Sequence, residues 1–173
     1  MKKLPVIQVV GYKHSGKTTL INKIISSLAK ELDITIGTLK HHGHGGEPDV
    51  VKETDTYKHM EAGALMSGVQ GENRFQLNVA QTATYHIDDL IAIYQYFPVD
   101  LLLIEGYKQA PYPKIVLINE REDEQLLQLA NIIAVGGWNK PNVIQKQYPL
   151  FSINHFNDDQ HLFKNILTTF YDQ

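Results

Sequence analysis

Gly11-Tyr12-Lys13-His14-Ser15-Gly16-Lys17-Thr18 carries two glycines, a lysine and a hydroxyl residue in the spacing G-x-x-x-x-G-K-[ST], a pattern suited to holding a chain of phosphates. The glycines let the backbone turn tightly, so that successive N–H groups point inward at phosphate oxygens. A helix opening at the end of the loop adds unpaired donors and the positive end of its dipole. Lys17 supplies a mobile charge for the β- and γ-phosphates, and the Thr18 hydroxyl is an oxygen ligand for Mg²⁺. The expected nucleotide contacts are therefore Gly11, Lys13, His14, Ser15, Gly16, Lys17, Thr18 and Thr19. A chain of this length matches the pattern by chance roughly once in a hundred or more sequences.

A second group bears on the same chemistry. Asp100-Leu101-Leu102-Leu103-Ile104-Glu105-Gly106 is an apolar strand with a carboxylate at its C-terminal end, where ligands sit in an open parallel sheet. Glu105 is placed there to hold the Mg²⁺ shell or to polarise a water, which makes Glu105 and Lys17 the candidate catalytic residues. Asp100, at the opposite end of the strand, receives no chemistry. Lys40-His41-His42-Gly43-His44 puts three imidazoles within four residues. Neutral imidazoles suit zinc or nickel, partly protonated ones donate to an anion, and a solvated loop has the same composition.

The elements that must position these residues follow from periodicity. PVIQVV, Pro5 to Val10, predicts a buried strand ahead of the loop. Leu20, Ile24, Leu28 and Leu32 recur every four residues beyond Gly16 and predict an amphipathic helix. Ile34 to Leu39 reads as the next strand, and the Gly- and His-rich stretch Lys40 to Val51 as a loop on the ligand edge. A helix is expected over Thr54 to Gly63, strands near Ala64 to Val69 and Arg74 to Val79, and a helix capped by Asp88 and running to Phe97. Further strands are expected at Val99 to Ile104, Lys114 to Ile118 and Ile132 to Val135, with a terminal helix from His161 to Tyr171. Strands apolar throughout, alternating with helices, predict an α/β fold: a P-loop NTPase three-layer sandwich around a mainly parallel sheet. No repeat or linker divides residues 1–173, so one domain is expected.

Composition narrows the partners. A net charge of −3 argues against a duplex nucleic acid. The absence of cysteine excludes disulfides and thiolate metal sites and suits a reducing compartment. No run of eighteen apolar residues and no cleavage-site pattern occurs, so a cytoplasmic, soluble protein with no membrane contact is expected.

The order of motifs is itself informative. The phosphate loop with Thr19-Leu20, the Lys40-His41-x-x-His44 loop, Asp55 ahead of Glu61-Ala62-Gly63-Ala64, and Leu103-Ile104-Glu105-Gly106-Tyr107-Lys108 with Pro113-Lys114 follow one another along the chain. Together they resemble MobB, the molybdopterin-guanine dinucleotide biosynthesis protein B family, over roughly Pro5 to Ile118. The resemblance implies a homodimeric GTP-binding protein with weak GTPase activity that requires Mg²⁺. Such proteins assist the guanylyltransferase MobA in attaching GMP to the molybdenum cofactor. It also implies a second site for the anionic molybdopterin cofactor, lined by Lys40, His41 and His44. Asp55 belongs with that site or with Mg²⁺, and Lys108 and Lys114 are placed to meet an anionic group. Asn139-Lys140-Pro141-Asn142 only partly echoes the guanine-reading N-K-x-D pattern, with asparagine in the carboxylate position. Preference for GTP over ATP thus rests on the resemblance.

Two other functions share the phosphate loop. A small-metabolite kinase normally closes arginines over the transferring phosphoryl group, and only Arg74 and Arg121 occur here, in no basic cluster. A nickel- or zinc-delivery GTPase would use the histidines, but its cargo sites usually need cysteine as well.

Overall fold

The computed structural model describes residues 3–42, 48–49, 51–80, 85–142 and 147–171. Strand β1 (Val6–Val10) is buried along its whole length, because it lies at the centre of the sheet. On one side it pairs with β5 (Leu101–Glu105), which pairs in turn with β2 (Ile36–Lys40). On the other side stand β6 (Lys114–Leu117), β7 (Ile132–Gly137) and β8 (Leu150–Ser152). The order β2-β5-β1-β6-β7-β8 is parallel at every pairing.

A parallel sheet needs cover on both faces, and the alternation of side chains supplies two sets of contacts. Ile7, Val9, Leu101 and Leu103 pack on one face with Leu20, Ile24 and Leu28, from α1 (Lys17–Ile24) and the π-helical turn Ile25–Ala29 that continues it. Phe163 and Leu167 of α4 (Gln160–Tyr171) complete that layer. On the opposite face Val6, Leu102 and Ile104 meet Ile91 of α3 (Ile87–Tyr94), while Val10, Val116 and Val135 meet Leu126 of the 3₁₀ segment Arg121–Gln128. The result is the expected three-layer sandwich.

Apart from the sheet, β3 (Met66–Gln70) and β4 (Phe75–Val79) form an antiparallel hairpin. Helix α2 (Asp55–Glu61) precedes it and is its principal neighbour, with Thr54 capping α2 by accepting the Tyr57 N–H at 3.2 Å.

Several expectations are corrected. Asp88 does not cap α3: His86 holds the cap position, its N–H donates to Asp89 at 2.9 Å, and Asp88 accepts the Tyr112 hydroxyl. The helix ends at Tyr94, short of Phe97. Strand β8 was not expected. Its three residues are too few to show a period, and only pairing with β7 makes them a strand. Asp100, set aside at the far end of β5, accepts the N–H and hydroxyl of Thr35, both at 2.8 Å.

Candidate nucleotide site

The carboxyl ends of β1, β2, β5 and β7 deliver Gly11, Lys40, Glu105 and Trp138 to one edge of the sheet, around a cleft of about 950 Å³. The phosphate loop turns there because two residues take left-handed backbone conformations, His14 at φ 62° and Gly16 at φ 93°. Gly16 is restricted twice: its φ disfavours a side chain, and a Cβ would lie 2.7 Å from Ile153 Cδ1. Helix α1 begins immediately after it, so its free N–H groups open onto the cleft.

Lys17 bends back over its own loop, donating to the carbonyl oxygens of Tyr12 at 2.6 Å and Gly11 at 3.2 Å. Burial pulls its pKa below the ordinary lysine value, and the nearby Glu105 carboxylate partly opposes that shift. The loop is braced from β6 and β7. Trp138 Nε1 donates to the His14 carbonyl at 3.1 Å, and Asn119 Nδ2 donates to that of Ser15 at 3.3 Å. Asn119 Oδ1 also accepts the Trp138 N–H at 2.9 Å, which ties the two braces together.

Glu105 meets the loop where a cation would be needed. The Thr18 hydroxyl donates to Glu105 Oε2 at 2.9 Å, and Lys40 Nζ lies 3.7 Å from Oε1. Lys40 and Glu105 are partners in the β2–β5 register, so backbone pairing alone brings them side by side. A hydroxyl and a carboxylate in contact, both oxygen donors, fit a hard divalent cation such as Mg²⁺.

The remaining site residues divide. Gly11, Lys13, His14, Ser15, Gly16, Lys17, Thr18, Thr19, Lys40, His41, Glu105 and Lys108 all line the cleft. His41 stacks on Tyr107 with ring centroids 4.4 Å apart, and Lys108 Nζ sits 3.7 Å from the centroid of the Tyr12 ring. Lys114 corrects the expectation of an anion ligand. It is 1% exposed, its ammonium donates to the carbonyls of Ala110 and Tyr112, and it lies off the cleft. Asp55 also stays off the cleft, in the first turn of α2, where it pairs with Lys58 at 3.3 Å. His44 lies outside the described residues. Among the described residues no three His, Cys, Asp or Glu side chains gather closely enough to hold a metal ion. Trp138, Asn119 and Tyr107 were missed in the sequence. Trp138 follows a strand end, and the strand-end rule that located Glu105 also reaches it.

A parallel α/β sandwich with a phosphate loop at the end of its central strand defines a P-loop NTPase-like protein. Within that class, the family model described as molybdopterin guanine dinucleotide synthesis protein B, MobB, matches residues 6–138. The chain belongs to the MobB family. It is 43% identical over 155 residues to a Bacillus subtilis protein described as a probable molybdopterin-guanine dinucleotide biosynthesis adapter protein, covering 87% of each chain. A crystal structure of Bacillus subtilis MobB superimposes with a TM-score of 0.82 at 37% identity, covering 98% of this chain and 100% of that one. The Bacillus stearothermophilus MobB homologue superimposes at 0.73 with 35% identity, covering 97% and 99%. No helix among the described residues is long and apolar enough to cross a membrane.

Proposed function

We propose that this chain binds GTP with Mg²⁺ in the cleft, hydrolyses it slowly, and serves as an adapter for a MobA-like guanylyltransferase that attaches GMP to the molybdenum cofactor. The carrying observation is the contact between Thr18 and Glu105, which joins the phosphate loop to the strand-end carboxylate. Gly11 to Thr19 hold the phosphates, and Thr18 and Glu105 hold Mg²⁺, which neutralises phosphate charge when bound. The resemblance supports guanine as the base. The partial N-K-x-D segment supplies no free carboxylate: Asn139 Oδ1 accepts from Asn154 Nδ2 at 3.3 Å, and Lys140 pairs with Asp159 at 3.9 Å. Isothermal titration with GTP and then ATP, each with and without Mg²⁺, tests the reading. Mg²⁺-dependent binding with GTP favoured is expected, and equal affinity for both nucleotides would overturn the guanine assignment.

Slow hydrolysis follows from the side chains at the cleft. Neither Arg74 nor Arg121 lines it, and an arginine finger contributes roughly 10³ to 10⁵ in rate where present. Single-turnover assays on the purified protein should show hydrolysis far below that of a metabolic enzyme. Many turnovers per second would contradict this.

The histidine side of the cleft is the proposed molybdopterin site. His41 lines it beside Tyr107, while Lys40 already neighbours Glu105 and so belongs partly to the triphosphate shell. Changing His41 and His44 together to alanine should weaken binding of the anionic pterin by about tenfold or more, since each charge-assisted hydrogen bond contributes about 1.5–3 kcal/mol. Triphosphate affinity should stay close to the parent's. Loss of triphosphate binding with the pterin retained would assign the loop to the nucleotide instead.

The homodimer reading has its own support in the hairpin. Cross-strand register places Met66, Phe75, Leu77 and Val79 on one face, and they are 54%, 58%, 43% and 42% exposed. A contiguous apolar face of this kind, exposed in the single chain, marks an interaction surface. A second copy of the chain, as the resemblance implies, covers it.

A further inference from the structure

We infer that residues 106–113, the segment between β5 and β6, form an arm of the phosphate site, with Lys108 as a further ligand of the triphosphate and the buried side chains of Gln8 and Lys114 as its positioning residues. The inference rests on the phosphate-loop reading above.

Gln8 and Lys114 are an anomaly in the sheet. They are register partners on β1 and β6, 0% and 1% exposed, in strands otherwise filled by valine, isoleucine and leucine. Burying an amide or an ammonium is unfavourable unless its donors are used. Both side chains use them on the same segment. Gln8 Nε2 donates to the carbonyls of Gly106 at 2.9 Å and Tyr107 at 2.7 Å. Lys114 Nζ donates to those of Ala110 and, at 2.9 Å, Tyr112. Two buried groups thus hold four carbonyls of one eight-residue stretch. Two carbonyl acceptors require the NH₂ end of the amide, so the orientation of Gln8 is determined by its partners. Its Oε1 is buried and meets no hydrogen-bond partner among the described residues.

The arm's own backbone decides what those donors achieve. Gly106 at φ 98° and Tyr107 at φ 50° turn the chain sharply after Glu105. Tyr107 goes to His41, on the side of the second loop, and Lys108 goes to Tyr12, within the phosphate loop. Lys108 therefore faces the phosphates rather than the histidines. Its charge is also felt at Lys17, alongside that of Lys40. Lys17, Lys40 and Lys108 thus share the cleft with the Glu105 carboxylate, and Lys13 lines it as well. Lys17 rests on neutral carbonyls and Lys108 on a ring face, partners that a phosphate would displace.

The test is a double-mutant cycle read by Mg·GTP titration, with Lys17→Ala as the reference. Lys108→Ala should weaken affinity by about tenfold or more, the scale of one charge-assisted hydrogen bond. Gln8→Met, which keeps the bulk and removes the donors, should weaken it comparably. The double variant should bind no more weakly than Lys108→Ala alone, because both changes remove the same contact. A purely structural role for Gln8 predicts additive losses and overturns the positioning assignment. Unchanged affinity in Lys108→Ala overturns the arm itself. If Lys17→Ala also binds normally, the failure lies with the phosphate-loop reading. Should Gln8→Met not fold, Lys114→Met takes its place in the cycle with the same two outcomes. Hydrogen exchange adds a measurement that needs no core variant. Mg·GTP should protect the 106–113 amides in the parent and not in Lys108→Ala, and equal protection in both overturns the inference.

Discussion

Replacing Lys17 by alanine should abolish measurable triphosphate binding while leaving the fold intact. The ammonium already lies inside the phosphate loop, hydrogen-bonded to the carbonyls of Gly11 and Tyr12, and anionic oxygens are stronger acceptors than either. Loss of two such bonds amounts to about 3–6 kcal/mol, on the order of 10² to 10⁴ in affinity. The fold does not depend on the side chain, since α1 is anchored by Leu20, Ile21 and Ile24. The pH dependence carries a sign that can be checked. Burial depresses the Lys17 pKa below 10.5, and only the protonated form attracts phosphate. Affinity is fully present below the depressed value and falls as pH rises through it, at lower pH than for an exposed lysine. The stability of the ligand-free protein runs the other way. The unfolded chain holds that proton more tightly, so the Lys17 contribution to stability rises with pH between the depressed value and 10.5. At neutral pH, below both values, that contribution is at its least favourable, so the alanine variant should melt at or above the parent. Calorimetric titration with a thermal melt checks both parts, and unchanged triphosphate affinity would remove the phosphate-loop assignment.

On the homodimer proposed above, charging the hairpin face should yield a monomer. Phe75 and Leu77 are among the exposed apolar residues of that face, and the Gly68 position opposite is close to both: a Cβ there would lie 3.2 Å from the Phe75 ring and 3.5 Å from Leu77. A two-fold interface uses the same patch on both copies, so Phe75→Asp with Leu77→Asp alters four positions that the proposed dimer would bury. At about 1.5–3 kcal/mol for each large apolar side chain buried, the shift in dissociation constant is on the order of 10⁴-fold or more. Sedimentation at micromolar concentration should show a dimeric parent and a monomeric variant. A monomeric parent would sink the proposal at once, and a variant that stays dimeric would move the interface elsewhere.

The phosphate-loop motif was legible because it is local. A loop of eight residues between a strand and a helix encodes its own geometry, and Gly16 needs no distant partner to turn at φ 93°. Glu105 was legible for a related reason: an apolar strand ending in a carboxylate implies a position at the ligand edge of a parallel sheet. Continuous apolar runs likewise announced that both faces of the sheet are covered.

What the sequence by itself determined, then, is the phosphate loop, the strand-end acid, the layered α/β architecture and the motif order that resembles MobB. Each of these lies in contiguous residues or in their order along the chain. Tertiary structure alone decided the rest, because it depends on residues far apart in sequence. Lys114 was expected to meet an anionic group, but pairing with β1 and β7 buries it beneath the arm it holds. Gln8, within the apolar run Pro5 to Val10, takes its role only from the Gly106 and Tyr107 carbonyls that accept its amide. Trp138 and Asn119 reach the phosphate loop only because β6 and β7 follow β1 in the sheet order. Strand order is set by which apolar faces pack together, and no window of sequence contains that choice.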